Sequence, residues 1–141
     1  MTTAHQEALL TSLACRVYYE DTDAGGVVYH ANYLRFMERA RSEWLRERGF
    51  DPHQLKESYQ LLFVVRSIEI KYLAPALLGD LLTVSAQLLS LERGLLTFDQ
   101  RVWRQEQELS RALIRVVSVS TETFKSINVP NSMKQALGVI W

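Results

Sequence analysis

Asp23 stands seven residues ahead of His30, in the run Tyr18-Tyr19-Glu20-Asp21-Thr22-Asp23-Ala24-Gly25-Gly26-Val27-Val28-Tyr29-His30-Ala31-Asn32-Tyr33. The run passes from a strand-like segment through a small acidic turn into an amphipathic helix. A carboxylate is thereby aimed at a helix start, whose first N–H groups have no partner within the helix and carry partial positive charge. A base or nucleophile facing such a dipole end is a layout for attack on a carbonyl, so an enzyme is the leading reading. Asp23 also reads as a turn former or helix cap, because Asp is common in both places. Glu20 and Asp21 read as solvated neighbours. Two carboxylates two residues apart repel and can raise one pKa, although a loop can also point them apart.

Other chemistries find no support in the spacing. His5, His30 and His53 lie far apart without companion ligands, so no metal site is expected. No Ser occupies a nucleophile elbow, and Cys15 falls on a strand face that reads as structural. Gly25-Gly26 lacks the further glycines and the lysine of a phosphate loop. His30 alone would usually be a core or helix-start histidine. Its interest is its place at the first turn.

The elements around this turn follow from periodicity. Leu13, Cys15, Val17 and Tyr19 alternate with Ala14, Arg16, Tyr18 and Glu20, as in a half-buried strand. Tyr33, Met37, Ala40 and Trp44 then recur at spacings of four, three and four, which predicts about five turns of helix ending at Gly49. Asp51-Pro52 predicts the cap and first residue of a short helix running to about Tyr59. Period two returns at Ile68, Ile70 and Tyr72, at Leu82 to Leu88, from Leu96 to Val102, and from Ala112 to Ser120. Breaks fall at Pro75, Gly79-Asp80, Arg93-Gly94 and Gln105 to Glu108. The connections after Gly79 are too short for helical crossovers, so neighbouring strands should pair antiparallel. The expected fold is α+β, a single curved antiparallel sheet against one long central helix.

Composition bounds the rest. The 141 residues suit one domain over 1–141 with a core of about 13–121. Sixteen basic and sixteen acidic side chains cancel, which leaves no long-range field for nucleic acid or anionic lipid. The single Cys15 cannot form an internal disulfide, no signal peptide is visible, and no apolar run would span a bilayer. A cytoplasmic protein is expected.

The quoted turn, with Arg16-Val17 before it and Glu38-Arg39-Ala40-Arg41 after it, resembles the 4-hydroxybenzoyl-CoA thioesterase family. Within that family it is similar to the bacterial acyl-CoA thioesterases associated with the Tol–Pal envelope system. Phe63-Val64-Val65-Arg66, Tyr72-Leu73-Ala74-Pro75-Ala76 and Arg93-Gly94 extend the resemblance over roughly Cys15 to Ser120. The resemblance implies the hotdog fold, a sheet wrapped round a long helix, and hydrolysis of an acyl-CoA to the acid and CoA. It implies Asp23 as the catalytic carboxylate, either attacking the thioester or activating water, and the His30 backbone N–H as the group that polarises the carbonyl. Tyr29, Tyr33 and Val64 would line the acyl pocket, Arg93 would meet the CoA phosphates, and Ser118 would contact pantetheine or nucleotide, with Ser120 beside it. No cofactor is implied. Partners would be a second copy in a dimer or tetramer, and an acyl carrier protein or an envelope-complex protein. Two further readings stay open at this level: a non-catalytic hotdog module that binds acyl-CoA or an acyl carrier protein, and a hotdog dehydratase. The acyl group, short, long or aromatic, is left open.

Overall fold

The structure, a computed structural model, describes residues 9–137. Residues 1–8, His5 among them, and 138–141 lie outside the described residues, so the domain expected over 1–141 is described only between those limits. Strand β1 (Leu10–Arg16) leads through a 3-10 turn (Tyr19–Asp21) to helix α1 (Asn32–Glu47) and helix α2 (Pro52–Tyr59). Strands β2 (Leu61–Tyr72), β3 (Leu81–Glu92), β4 (Leu95–Arg104) and β5 (Gln107–Ser120) follow, and a short helix α3 (Asn131–Ala136) comes last. The strands form one sheet in the order β1-β3-β4-β5-β2, and every neighbouring pair is antiparallel. The expected α+β architecture is the one observed.

Helix α1 lies across the sheet and packs on β1, β3 and β4. Its apolar stripe (Tyr33, Phe36, Met37, Ala40, Trp44, Leu45) is buried, which turns the helix into the core of the molecule. Trp44 meets Phe98 edge to face at 5.1 Å, and its indole N–H donates to the Leu9 carbonyl at 2.8 Å. Gly49 takes φ +88° just past the end of α1, and the Asp51 carboxylate accepts from the His53 N–H at 2.8 Å to start α2.

Several boundaries differ from expectation. The first strand ends at Arg16, and Tyr19 is 81% exposed on the 3-10 turn rather than buried on a strand face. Strand β2 begins at Leu61, before the alternation that starts at Ser67. A register shift between Val65 and Ser67 breaks its period, and as an edge strand it leaves Val65, Ile68 and Tyr72 exposed. The segment after Glu122, where no element was expected, returns over the sheet end and buries Val129, Met133 and Leu137. Its Ile127 N–H donates to the Ser118 carbonyl at 2.9 Å. This closeness demands glycine at position 94, where φ is +86° and a Cβ would stand 2.5 Å from the Ser118 hydroxyl.

Candidate active site

The acidic turn is built from both sides. Leaving β1, the Val17 N–H donates to the Asp80 carbonyl at 2.9 Å, and the Gly79 N–H returns a bond to the Val17 carbonyl at 3.0 Å. Asp21 is buried, which overturns its reading as a solvated residue. Its carboxylate accepts from the Tyr18 N–H at 2.9 Å and from the Asn32 side-chain amide at 2.7 Å. Asn32 is the first residue of α1, so this buried pair ties the turn to the helix start; a buried carboxylate needs such partners. Glu20 is exposed, as expected.

Asp23 sits at the tip of a miniature hairpin closed by the bridge between Thr22 and Val28. Its N–H donates to the Val27 carbonyl at 2.9 Å, and its carboxylate accepts from the Gly25 N–H at 2.8 Å. One oxygen is thereby oriented by the backbone while the side chain stays exposed. Gly26 makes the return with φ +77°. The far arm of the hairpin rests on the loop before β3, through the Val28 N–H on the Ala76 carbonyl at 2.9 Å.

The chain then enters α1 without a side-chain cap and without an acidic residue in the first turn. The Tyr29 N–H is used on the Asp21 carbonyl, and the Asn32 N–H on the Tyr29 carbonyl at 2.8 Å. Among the described residues, the N–H groups of His30 and Ala31 meet no acceptor. Two free donors at the positive end of a helix dipole form a receptor for developing negative charge. The Tyr72 hydroxyl orients the second of them, the Ala31 N–H, by donating to the His30 carbonyl of the same peptide at 2.8 Å. Tyr72 also packs on Tyr33 at 5.3 Å, and Tyr33 is buried, its hydroxyl accepting from the Ala76 N–H at 3.0 Å. Tyr29 is 45% exposed, with its ring 4.5 Å from that of His30.

The expected site residues divide into two groups. Asp23, Tyr29, His30 and Tyr33 gather around the turn. Val64, Arg93 and Ser118 gather at the other end of the sheet, where Val64 pairs with Val117, next to Ser118, and the Ser118 N–H donates to the Gly94 carbonyl at 2.9 Å. The turn adjoins the Leu81 end of β3 and Arg93 follows its other end, which is about 36 Å of strand at 3.3 Å per residue. Arg93 is exposed in the hairpin at φ +50°. The Ser118 hydroxyl is buried and bonded to the Ile127 and Gly94 carbonyls. Asp21, Asn32 and Tyr72 are the site residues that sequence reasoning missed. The signal for the first two was the Asp–Asn pair bracketing the turn; Tyr72 carries no local signal. Among the described residues no group of three or more His, Cys, Asp or Glu could hold a metal.

A family model described as the thioesterase superfamily matches residues 25–111, starting two residues after Asp23. An acyl-CoA thioesterase, YbgC, of Haemophilus influenzae is 45% identical over 125 residues, covering 89% of this chain and 92% of its own. An acyl-CoA thioester hydrolase, also YbgC, of Escherichia coli is 44% identical over 119 residues, with 84% and 88% covered. A crystal structure from Bartonella henselae, described as a probable thioesterase, superposes with a TM-score of 0.82 at 36% identity, covering 86% of this chain and 99% of that one. The chain belongs to the thioesterase superfamily, and its fold is the hotdog fold of those relatives. Within that superfamily, the relatives with the coverage just given carry the name YbgC.

Proposed function

We propose that Asp23 and the start of helix α1 hydrolyse the thioester of an acyl-CoA, releasing the acid and free CoA. The observations that carry this are the uncapped helix start, where the His30 and Ala31 N–H groups meet no acceptor among the described residues, and the backbone-oriented carboxylate of Asp23 on the turn that leads into it. The thioester carbonyl oxygen is received by the N–H groups of His30 and Ala31. Asp23 either attacks the carbonyl carbon, forming an anhydride that water then opens, or takes a proton from the water that attacks. In both routes the carbon–sulfur bond breaks, and the CoA thiolate leaves and acquires a proton. A thiolate leaves readily, so no Ser or Cys nucleophile is required. One well-placed oxyanion donor supplies on the order of 3 kcal/mol. The names of the relatives support the same substrate class.

The remaining assignments belong to a complex of copies. Val64, Arg93 and Ser118 stand too far from Asp23 to serve the same substrate within one chain, so they meet it only if a second copy brings its far end to the turn. Strand β2 offers the surface for this, as an edge strand with exposed Val65, Ile68 and Tyr72. In such a dimer, or a tetramer built from two, Tyr29 and Tyr33 border the acyl group from one copy and Val64 from the other, while Arg93 meets CoA phosphates. Ser118 then acts through the position of the hairpin, because its hydroxyl is already bonded. A cytoplasmic location fits a cysteine held without a disulfide, and no helix among the described residues is long and apolar enough to cross a membrane. An acyl carrier protein or an envelope-complex protein is the partner class consistent with this reading.

The test is a panel of acyl-CoAs of graded length, with benzoyl and hydroxybenzoyl members, read by thiol release. Activity on at least one member is expected, and Asp23→Asn should lower it by roughly 10²–10⁴-fold. Unchanged turnover in that variant would remove Asp23 from the mechanism.

A further inference from the structure

Away from the acidic turn, a cavity of about 310 Å³ opens between α1, α2 and the start of β2. Its walls are apolar, with Leu45, Leu55, Phe63, Leu96 and Phe98 among them, and it includes neither Asp23 nor His30. Glu38, Arg41 and Ser42, all on α1, break that apolar lining, and Arg41 is the cation among them. Arg41 lies nine residues into α1, about 14 Å along the axis from Asn32 at 1.5 Å per residue.

The guanidinium is held on one side only. Its Nη1 donates to the Gln100 side-chain oxygen at 2.9 Å, and Gln100 is itself fully buried, donating from its own amide to the Met37 carbonyl at 2.7 Å. The second bond fixes which way the Gln100 amide faces, so its oxygen is presented to Arg41 and nothing else. A guanidinium carries five N–H donors, and among the described residues no carboxylate lies within ion-pair distance of this one. Among the described residues no buried side-chain nitrogen lacks a partner, and Arg41 lines the cavity. Burial presses the Arg41 pKa below the ordinary arginine range, and Glu38, one helical turn earlier, partly opposes this. A half-buried charge in a mostly apolar cavity, whose hydrogen-bond partner among the described residues is a neutral amide and whose nearby Glu38 is not within ion-pair distance, can take a further anion.

We propose that this cavity binds a carboxylate carried on a short apolar body, with Arg41 as its anchor. The volume sits at the small end of ligand pockets, which run roughly 300–1,000 Å³, and excludes a full CoA ester. A planar guanidinium matches a carboxylate through two parallel N–H···O bonds. This chemistry has two sources: a free acid of the kind that thioester hydrolysis releases, or the far carboxylate of an acyl group that bears one. Glu38, which lines the same cavity, opposes the ligand's charge and sets how tightly it is held.

Octanoate is the probe, and octanol, of the same chain length without charge, is its control. Calorimetric titration of the full chain should show saturable octanoate binding at least tenfold tighter than octanol. Arg41→Gln should weaken octanoate at least tenfold and leave octanol unchanged, Arg41→Lys should retain part of the affinity, and Glu38→Gln should tighten it. Equal binding of the two ligands by the unaltered protein overturns the proposal without any variant having to fold; so does the absence of saturable octanoate binding, or an Arg41→Gln protein that binds as before. Hydrolysis then separates the sources. Inhibition by octanoate that Arg41→Gln relieves marks the free acid. A preference for suberyl-CoA over octanoyl-CoA that Arg41→Gln abolishes marks the acid-tailed acyl group. The titration needs no turnover, so failure of the proposed hydrolysis and failure of this site are read separately.

Discussion

The Tyr72 hydroxyl donates to the His30 carbonyl oxygen at 2.8 Å, which joins the end of the edge strand to the entrance of α1. The His30 carbonyl and the Ala31 N–H belong to one peptide plane. A bond accepted on the oxygen side orients that plane and makes its N–H a stronger donor, since successive hydrogen bonds polarise one another.

Tyr72→Phe should therefore lower kcat by about tenfold, the equivalent of one net hydrogen bond of roughly 1.4 kcal/mol. KM should stay within about twofold, because the ring still packs on Tyr33. Thermal stability should move little, because Tyr72 is 47% exposed. A matching rise in KM, or a large loss of Tm, would assign Tyr72 to substrate contact or to folding.

Ala31→Asp should separate stability from activity. A negative charge in the first turn of a helix stabilises it by roughly 0.3–1 kcal/mol. The same charge stands where the oxyanion would form, so kcat/KM should fall at least tenfold while Tm rises slightly. Unchanged kcat/KM would show that the carbonyl oxygen does not approach this peptide.

Asp80 clamps the loop that supports the turn, accepting from the Leu77 N–H at 2.9 Å and from Arg104 at 2.7 Å. Burial pushes its pKa up, but the Leu77 and Arg104 contacts outweigh burial and hold it below the ordinary carboxylate value. A depressed folded-state pKa contributes stability above the unfolded pKa, near 4, and loses that contribution as pH falls through the folded value. Asp80→Asn should cost about 1–2 kcal/mol at pH 7 and progressively less below pH 4. Denaturant unfolding of both proteins across that range checks it; a gap constant with pH would contradict the ionic role.

Gly94→Ala should destabilise the protein by roughly 1–3 kcal/mol through a left-handed backbone and a Cβ pressed on Ser118 and Ile127. The loss should appear as earlier exposure of the segment from Thr121 to Leu137 to protease. Equal stability of the two proteins would mean that this segment yields freely.

Local signals in the chain carried the elements that depend on nearest neighbours. The stripe of Tyr33, Met37, Ala40 and Trp44, the cap at Asp51-Pro52 and the hairpin at Arg93-Gly94 each declare themselves within a few residues, and each is present in the structure. Asp21 did not, because a carboxylate among polar neighbours reads as solvated until its partner Asn32 is placed on it by folding. The bond from Tyr72 to His30 spans 42 positions and leaves no periodic trace. Val129, Met133 and Leu137, at spacings of four, did carry a helical signal, but Pro130 and the short run of six helical residues masked it. Spacing alone brought Asp23 and the helix start forward, with a turn former or cap as the alternative, and the resemblance chose the catalytic reading; the N–H groups without acceptors required coordinates.

The stitching of the acidic turn also sets when it can form. Arg16 reaches the Gly79 carbonyl across 63 positions, and β1 pairs only with β3. During synthesis the turn emerges early, but its supports lie in the loop and strand made much later. Closing such long loops before any contact rewards them slows folding. The acidic turn can therefore close only once the chain through β3 has been made, and a nascent chain that has formed α1 alone still lacks the contacts that shape it.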